Sequence, residues 1–169
     1  APAGSRQALT AAVQSGADAV FLGGPQFGAR YSAENFTIEE MKTWVDYCHL
    51  YGVDVHVTVN TLVKEKEIES LKEYLKQLNK IGVDALIVQD MGAVEIIKKT
   101  VPDMTLHAST QMTVTSLEGV KYLEDMGFSR VVLARELSEK EIEHICKNAK
   151  AEIEVFVHGA ICMCYSGQC

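Results

Sequence analysis

The chain has 169 residues, 47% of them hydrophobic, and carries 16 Lys and Arg against 23 Asp and Glu, a formal net charge of -7. That length suits one substantial core, and with 3 Pro and 12 Gly the composition excludes collagenous, disordered and low-complexity classes. The acidic balance excludes a surface that grips nucleic acid by overall charge, and no apolar run reaches the roughly 18–20 residues of a membrane span or forms a signal peptide, so a cytoplasmic protein with no membrane partner is expected.

In chain order, Ala1-Pro2-Ala3 reads as the stub of a strand, and the missing initiator Met and the final Cys169 suggest a piece of something longer. A helix is predicted over 5–15, ended by Gly16-Ala17-Asp18-Ala19-Val20, which opens a strand over 19–22. The Gly-rich loop that follows, from Gly23 to Arg30, is long for a strand-to-helix connection. Thr37-Ile38-Glu39-Glu40 places a carboxylate three residues after a hydroxyl, a capping box that starts a helix over 37–51. Gly52-Val53-Asp54-Val55 opens a strand over 54–59. The next helix, 65–81, puts Leu71, Tyr74, Leu75 and Leu78 on one face, and Gly82-Val83-Asp84-Ala85-Leu86 opens a strand over 85–88. Then come a helix over 92–100, a strand over 105–108 and a helix over 116–126. Gly127-Phe128-Ser129-Arg130-Val131 opens a strand over 130–133. A second capping box, Ser138-Glu139-Lys140-Glu141, starts a helix over 138–147, before a last strand over 153–157.

The repeated Gly-x-Asp phrase is the grammar of one αβ unit used again and again. Gly ends each helix in a left-handed conformation, a polar residue turns the chain, and a β-branched run follows. About seven short strands alternating with helices predict a parallel sheet with right-handed crossovers. No G-x-G-x-x-G or P-loop supports an open nucleotide-binding sheet, so the expected fold class is α/β, a parallel (β/α) TIM-type barrel. An eight-stranded barrel typically takes roughly 200–250 residues. Residues 1–169 are therefore expected to be a single barrel fragment, incomplete because the chain is truncated, with the closing strand and C-terminal regions absent. Its exposed strand edges call for self-association or a partner protein.

Two strands alternate: Asp54, His56, Thr58 and Asn60 oppose three valines, and Thr105, His107, Ser109 and Gln111 repeat the pattern. Glu154 and His158 share a parity on the last strand. A polar face pointing into a barrel lumen explains this, and active sites of such barrels lie at the strands' C-terminal ends. The tips gather Arg30, Asn60, Gln89-Asp90, Ser109-Thr110-Gln111, Arg135-Glu136 and the stretch from His158 to Cys169. Arg30 suits an anionic group held bidentately, or is a solvated residue of a lid. Arg135-Glu136 reads as a loop-ordering ion pair or a substrate contact. His56 and His107 are core histidines or acid–base groups, and His158 directly precedes the cysteine segment. There is no His-Glu-x-x-His and no Gly-x-Ser-x-Gly; Ser166 or Cys162 with His158 is the remaining hydrolytic arrangement.

Five cysteines crowd towards one end. Cys48 and Cys146 fall within helical patterns, where a thiol behaves as a small buried hydrophobe. Cys162, Cys164 and Cys169 cluster, which in a reducing compartment favours metal or redox chemistry over disulfides. Glu154, Phe156, Gly159, Ala160, Ile161, Cys162, Gly167 and Cys169 fit the signature Glu-x-Phe-x-x-Gly-small-aliphatic-Cys-x-x-x-x-Gly-x-Cys. With Phe27-Gly28-Ala29-Arg30, Val59-Asn60-Thr61, His107-Ala108-Ser109-Thr110-Gln111 and Leu133-Ala134-Arg135-Glu136-Leu137, the chain resembles the collagenase-like peptidase family U32 over essentially its whole length.

The resemblance implies an iron–sulfur-dependent RNA base hydroxylation enzyme, acting on tRNA wobble uridine or rRNA cytidine with prephenate as a co-substrate. It implies a [4Fe-4S] cluster on four cysteines, of which Cys162 and Cys169 match the first two; Cys164 stands where the family has a serine-like residue. The fragment alone is expected to be inactive and its cluster incomplete. His158, His107, Arg135 and Glu136 are the expected catalytic residues, and Asn60, Gln111, Arg30 and Gln89 the expected substrate contacts. A collagenase-like peptidase (a hydrolase) and a non-catalytic scaffold of an RNA or quinone complex are the alternatives.

Overall fold

The structure is a computed structural model and describes residues 1–29, 36–159 and 162–168. Backbone contacts divide it into two compact units, Ala1–Met104 and Thr105–Cys169. The first runs α1 (Arg6–Gln14), β1 (Ala19–Gly23), α2 (Ile38–Leu50), β2 (Asp54–Val59), α3 (Ile68–Ile81), β3 (Ala85–Val88), α4 (Met91–Thr100). β1 pairs with β2, and β2 with β3, both parallel, with Phe21 level with His56 and His56 with Ala85. The predicted stub lies along β1: the Ala3 N–H donates to the Phe21 carbonyl at 2.8 Å, and the Phe21 N–H to that of Ala1 at 2.9 Å.

The second unit runs β4 (Thr105–Ala108), α5 (Leu117–Asp125), β5 (Arg130–Val132), α6 (Glu139–Asn148), β6 (Glu152–Glu154). β4 pairs with β5 and β5 with β6, again parallel. Among the described residues six strands thus alternate with six helices, and each pairing named here is parallel. That is the pattern of the expected (β/α) barrel, with fewer strands than the eight of a closed TIM-type barrel.

The local causes are those the sequence announces. The Ser5 hydroxyl caps α1 by accepting from the Ala8 N–H, and Thr37 with Glu40 and Ser138 with Glu141 form capping boxes on α2 and α6. Gly16, Gly52, Gly82 and Gly127 all take left-handed backbone, with φ of 82°, 69°, 85° and 86°, which a side chain disfavours by roughly 1–2 kcal/mol. The acid of the repeated phrase has its own task. Asp84 Oδ2 accepts from the Val55 N–H at 2.7 Å and lies 2.8 Å from His49 Nε2, tying the end of α2 to the sheet. In the second unit Glu124 Oε1 accepts from the backbone N–H groups of Lys150 and Ala151 at 2.6 and 2.8 Å, fixing the turn into β6.

Val55, Val57 and Val59 of β2 and Leu71, Leu75 and Leu78 of α3 are fully buried. Each such side chain is worth roughly 1.5–3 kcal/mol of burial, enough to fix the register of β2. His56 lies on the other face of β2, and His107, Arg130 and Glu152 stand level across β4, β5 and β6. Arg130 donates from Nε to Glu152 Oε2 at 2.8 Å and reaches Glu154 at 3.5 Å. Both His56 and His107 are buried, at 5% exposure.

Two expectations need correction. The last strand ends at Glu154, not 157: Val155 and Phe156 stay β-prone but Val157 is 93% exposed, and among the described residues nothing pairs with them to make a ladder. Cys146 is exposed, one position off the stripe of α6 that buries Ile145, whereas Cys48 is fully buried as expected. Burial first, and Asp84 second, push the Cys48 thiol up to about 11.

Candidate functional site

In the first unit the strand exits are laced together by short polar side chains. Asn60 Oδ1 accepts from the Ala29 N–H at 3.0 Å, and Thr61 Oγ1 donates to the Phe27 carbonyl at 3.2 Å. Phe27 is held at φ 58°, its ring 5.9 Å from that of Tyr74. Asp90 caps α4 through Oδ1 on the Ala93 N–H at 2.9 Å and accepts from the Val63 N–H through Oδ2 at 3.0 Å. Asn60 therefore shapes the loop after β1 as well as facing the strand exits. Gln89 is half-buried beside Asp90. Arg30 lies outside the described residues.

The loop after β1 must also clear Tyr74. A Cβ on Gly24 would lie 1.8 Å from the Tyr74 hydroxyl. That hydroxyl is buried and has no partner among the described residues, and burial pushes its pKa well above the usual phenol value.

In the second unit the exits of β4 and β5 receive the cysteine segment. Ser109 Oγ accepts from the Gln111 N–H at 3.2 Å and starts a short 3-10 turn, Thr110–Met112. Thr113 follows at φ 56°, its Oγ1 donating to the Ser166 carbonyl at 2.5 Å. From the other side, the Ser166 N–H donates to Glu136 Oε1 at 2.9 Å, and the Arg135 N–H donates to Ser166 Oγ at 3.2 Å. Gly167, at φ 79°, lies so close that a Cβ there would sit 2.2 Å from the Gln111 carbonyl oxygen. The Ser166 N–H, its hydroxyl and nearby Arg135 hold the Glu136 carboxyl below its ordinary value.

Arg135, Glu136 and Gln111 are thus brought together with the segment that carries Cys162 and Cys164. Arg135 and Glu136 turn to Ser166, so the expected ion pair is in fact a pair of hands on a third residue. The Gln111 Oε1 is buried without a partner among the described residues. His107 lies back on β4, buried, and His158 is exposed beyond β6. Ser166, the one serine considered as a hydrolytic nucleophile, is completely buried. Thr113 and Gly167 lie outside the site residues expected from the sequence; the Ser-Gly pair inside a thiol segment, a glycine-demanding turn, is the signal that points to Gly167, and nothing local points to Thr113.

The donor chemistry at this position suits iron and sulfur: Cys162 is half-buried and Cys164 exposed. Among the described residues this segment supplies two thiols, fewer than the four of such a cluster. Cys169 lies outside the described residues, and among the described residues no three His, Cys, Asp or Glu side chains form a metal-holding group. No helix among them is long and apolar enough to cross a membrane.

Comparison with known proteins follows the same lines. The chain is 46% identical over 158 residues to a 23S rRNA 5-hydroxycytidine synthase of Escherichia coli, covering 94% of this chain and 24% of that protein. It is 41% identical over 169 residues to a tRNA hydroxylation protein of Bacillus subtilis, covering 100% of this chain and 40% of the relative. The chain thus spans well under half the length of these curated relatives. Among solved structures, a U32 peptidase superposes with a TM-score of 0.74 at 21% identity, covering 91% of this chain and 66% of that one, a likeness of fold. The family model described as peptidase family U32 matches residues 4–169, and the chain belongs to that family.

Proposed function

We propose that the whole protein to which this sequence belongs is a cytoplasmic RNA base hydroxylase, acting on tRNA or rRNA. The observation that carries the reading is the identity of 46% and 41% to two RNA hydroxylation proteins over 94% and 100% of the chain. In this reading a [4Fe-4S] cluster takes two of its four thiolates from Cys162 and Cys169, and prephenate is the co-substrate. Such a cluster supplies one-electron redox chemistry when bound. The clustering of thiols at the strand exits of a barrel, where reactive groups of such folds gather, supports it.

The chain's own residues would then divide the work as follows. Asn60 and Asp90 brace the loops of the first unit, Arg30 offers a cation to an anionic group, and Gln89 and Gln111 offer amides to a base edge. His107 and His158 are the acid–base groups of this reading. A peptidase is the second reading, favoured by the family's name, but the buried and hydrogen-bonded Ser166 is a poor nucleophile for it.

The test uses the full-length protein purified without oxygen, together with mass analysis of RNA from a strain lacking the gene. Iron with charge-transfer absorption, lost in Cys162→Ala and Cys169→Ala, and one hydroxylated nucleoside missing from the deletion strain are expected. No iron and an unchanged set of RNA modifications would refute the hydroxylase. Cleavage of collagen or casein, abolished by one nucleophile substitution, would establish the peptidase instead.

A further inference from the structure

We infer that Arg135 and Glu136 are positioning residues, which together with Thr113 clasp Ser166 and so set where the cysteine segment stands against the exits of β4 and β5. Every polar group of Ser166 is engaged. Its N–H donates to Glu136 Oε1 at 2.9 Å and its Oγ lies 3.4 Å from the same oxygen. The Oγ accepts from the Arg135 N–H at 3.2 Å and faces Arg135 Nε at 3.4 Å, while the Ser166 carbonyl takes the Thr113 hydroxyl at 2.5 Å. Three residues from two loops converge on one residue, backbone and side chain together, with 0% exposure.

What surrounds that residue shows why the clasp matters. Met163 is 96% exposed and Tyr165 71% exposed, so the large apolar side chains of the segment anchor nothing. Hydrogen bonds hold it instead, together with the close fit of Gly167 on the Gln111 carbonyl. Buried polar groups that are fully satisfied specify one arrangement, and losing a partner is felt sharply. The Glu136 carboxylate is occupied by a backbone amide and a hydroxyl, which makes it an anchor rather than an acid or base for substrate.

The consequence for catalysis rests on the proposed hydroxylase, since only there do the segment's thiols carry a cofactor; the clasp itself does not depend on it. The experiment takes the full-length protein, reduced, and measures amide hydrogen exchange in peptides covering 162–168 and the alkylation rate of Cys162. Glu136→Ala, Ser166→Ala and the near-isosteric Thr113→Val are each expected to raise exchange there at least tenfold, with peptides of β2 and α3 unchanged. Glu136→Gln keeps the Oε1 acceptor and is expected to lie nearer the native protein than Glu136→Ala. Unchanged exchange and alkylation in Glu136→Ala and Thr113→Val would overturn the clasp, as would a Glu136→Gln variant as loose as Glu136→Ala. If the variants loosen the segment as expected while the native protein holds no iron and modifies no RNA, the clasp stands and the hydroxylase falls.

Discussion

Replacing Gly167 with Ala tests the seat of the cysteine segment from its steric side. The new Cβ meets the Gln111 carbonyl oxygen at 2.2 Å, its carbon at 2.9 Å and Thr113 Oγ1 at 2.8 Å, on a backbone with φ of 79°. A left-handed non-glycine residue costs about 1–2 kcal/mol, and forcing an atom into backbone that cannot yield costs about 1–3 kcal/mol more. The sum of about 2–5 kcal/mol corresponds to a roughly 30-fold to few-thousand-fold rise in local opening. Because the segment can detach without unfolding the core, the melting temperature should move little while amide exchange over 162–168 accelerates strongly. Gly16→Ala is the control. Its φ of 82° is nearly the same, yet nothing lies within 4 Å of the added Cβ, so only the conformational part of about 1–2 kcal/mol applies. Equal exchange over 162–168 in native and Gly167→Ala protein would refute the seating described here.

Three further outcomes are expected. Gly24→Ala should destabilise the protein, and Tyr74→Phe should by itself raise the melting temperature slightly, since it removes a buried hydroxyl that has no partner among the described residues, worth about 1 kcal/mol; a double-mutant cycle by thermal melting should show the Phe relieving part of the Ala defect, and strict additivity would contradict the contact. Glu124, held below its ordinary 4.5 chiefly by the Ala151 and then the Lys150 N–H groups, stabilises the turn into β6 above that pH and loses its effect as pH falls below it; exchange of the Ala151 amide, corrected for intrinsic rate, should accelerate on acidification in the native protein and be pH-insensitive in Glu124→Gln. Cys48, its thiol raised to about 11, is only about one part in a thousand thiolate at pH 8, so iodoacetamide should modify exposed Cys146 and Cys164 long before Cys48 in folded protein, and comparable rates would show that α2 is not seated as described.

The sequence spoke most clearly where the physics is local. β2 and β3 begin and end where the Gly-x-Asp phrases and the β-branched runs place them, and the caps at Thr37 and Ser138 form as their spacing demands. It overran at β6, because Val155, Phe156 and Val157 have the propensity of a strand but a strand is made by its neighbour. Cys146 misled for a related reason: helical periodicity tells a residue's angle only after the buried stripe is known, and on α6 that stripe passes through Ile145. In the site, the polar residues at the strand exits were legible as a set, whereas their partners were not. That Glu136 and Arg135 face Ser166, some thirty residues on, depends on where two loops and a later segment meet in space, and no spacing rule encodes that.

The glycines also mark where the molecule would accept a foreign group. Around Gly16 and Gly52 the space beside the backbone is empty, at exposed turns where chains usually tolerate inserted residues. A fluorophore or short affinity tag placed there meets no neighbour and should cost only the conformational part, about 1–2 kcal/mol. At Gly24 and Gly167 the equivalent space is already taken by Tyr74 and by the backbone of Gln111, so the same label would act as a wedge.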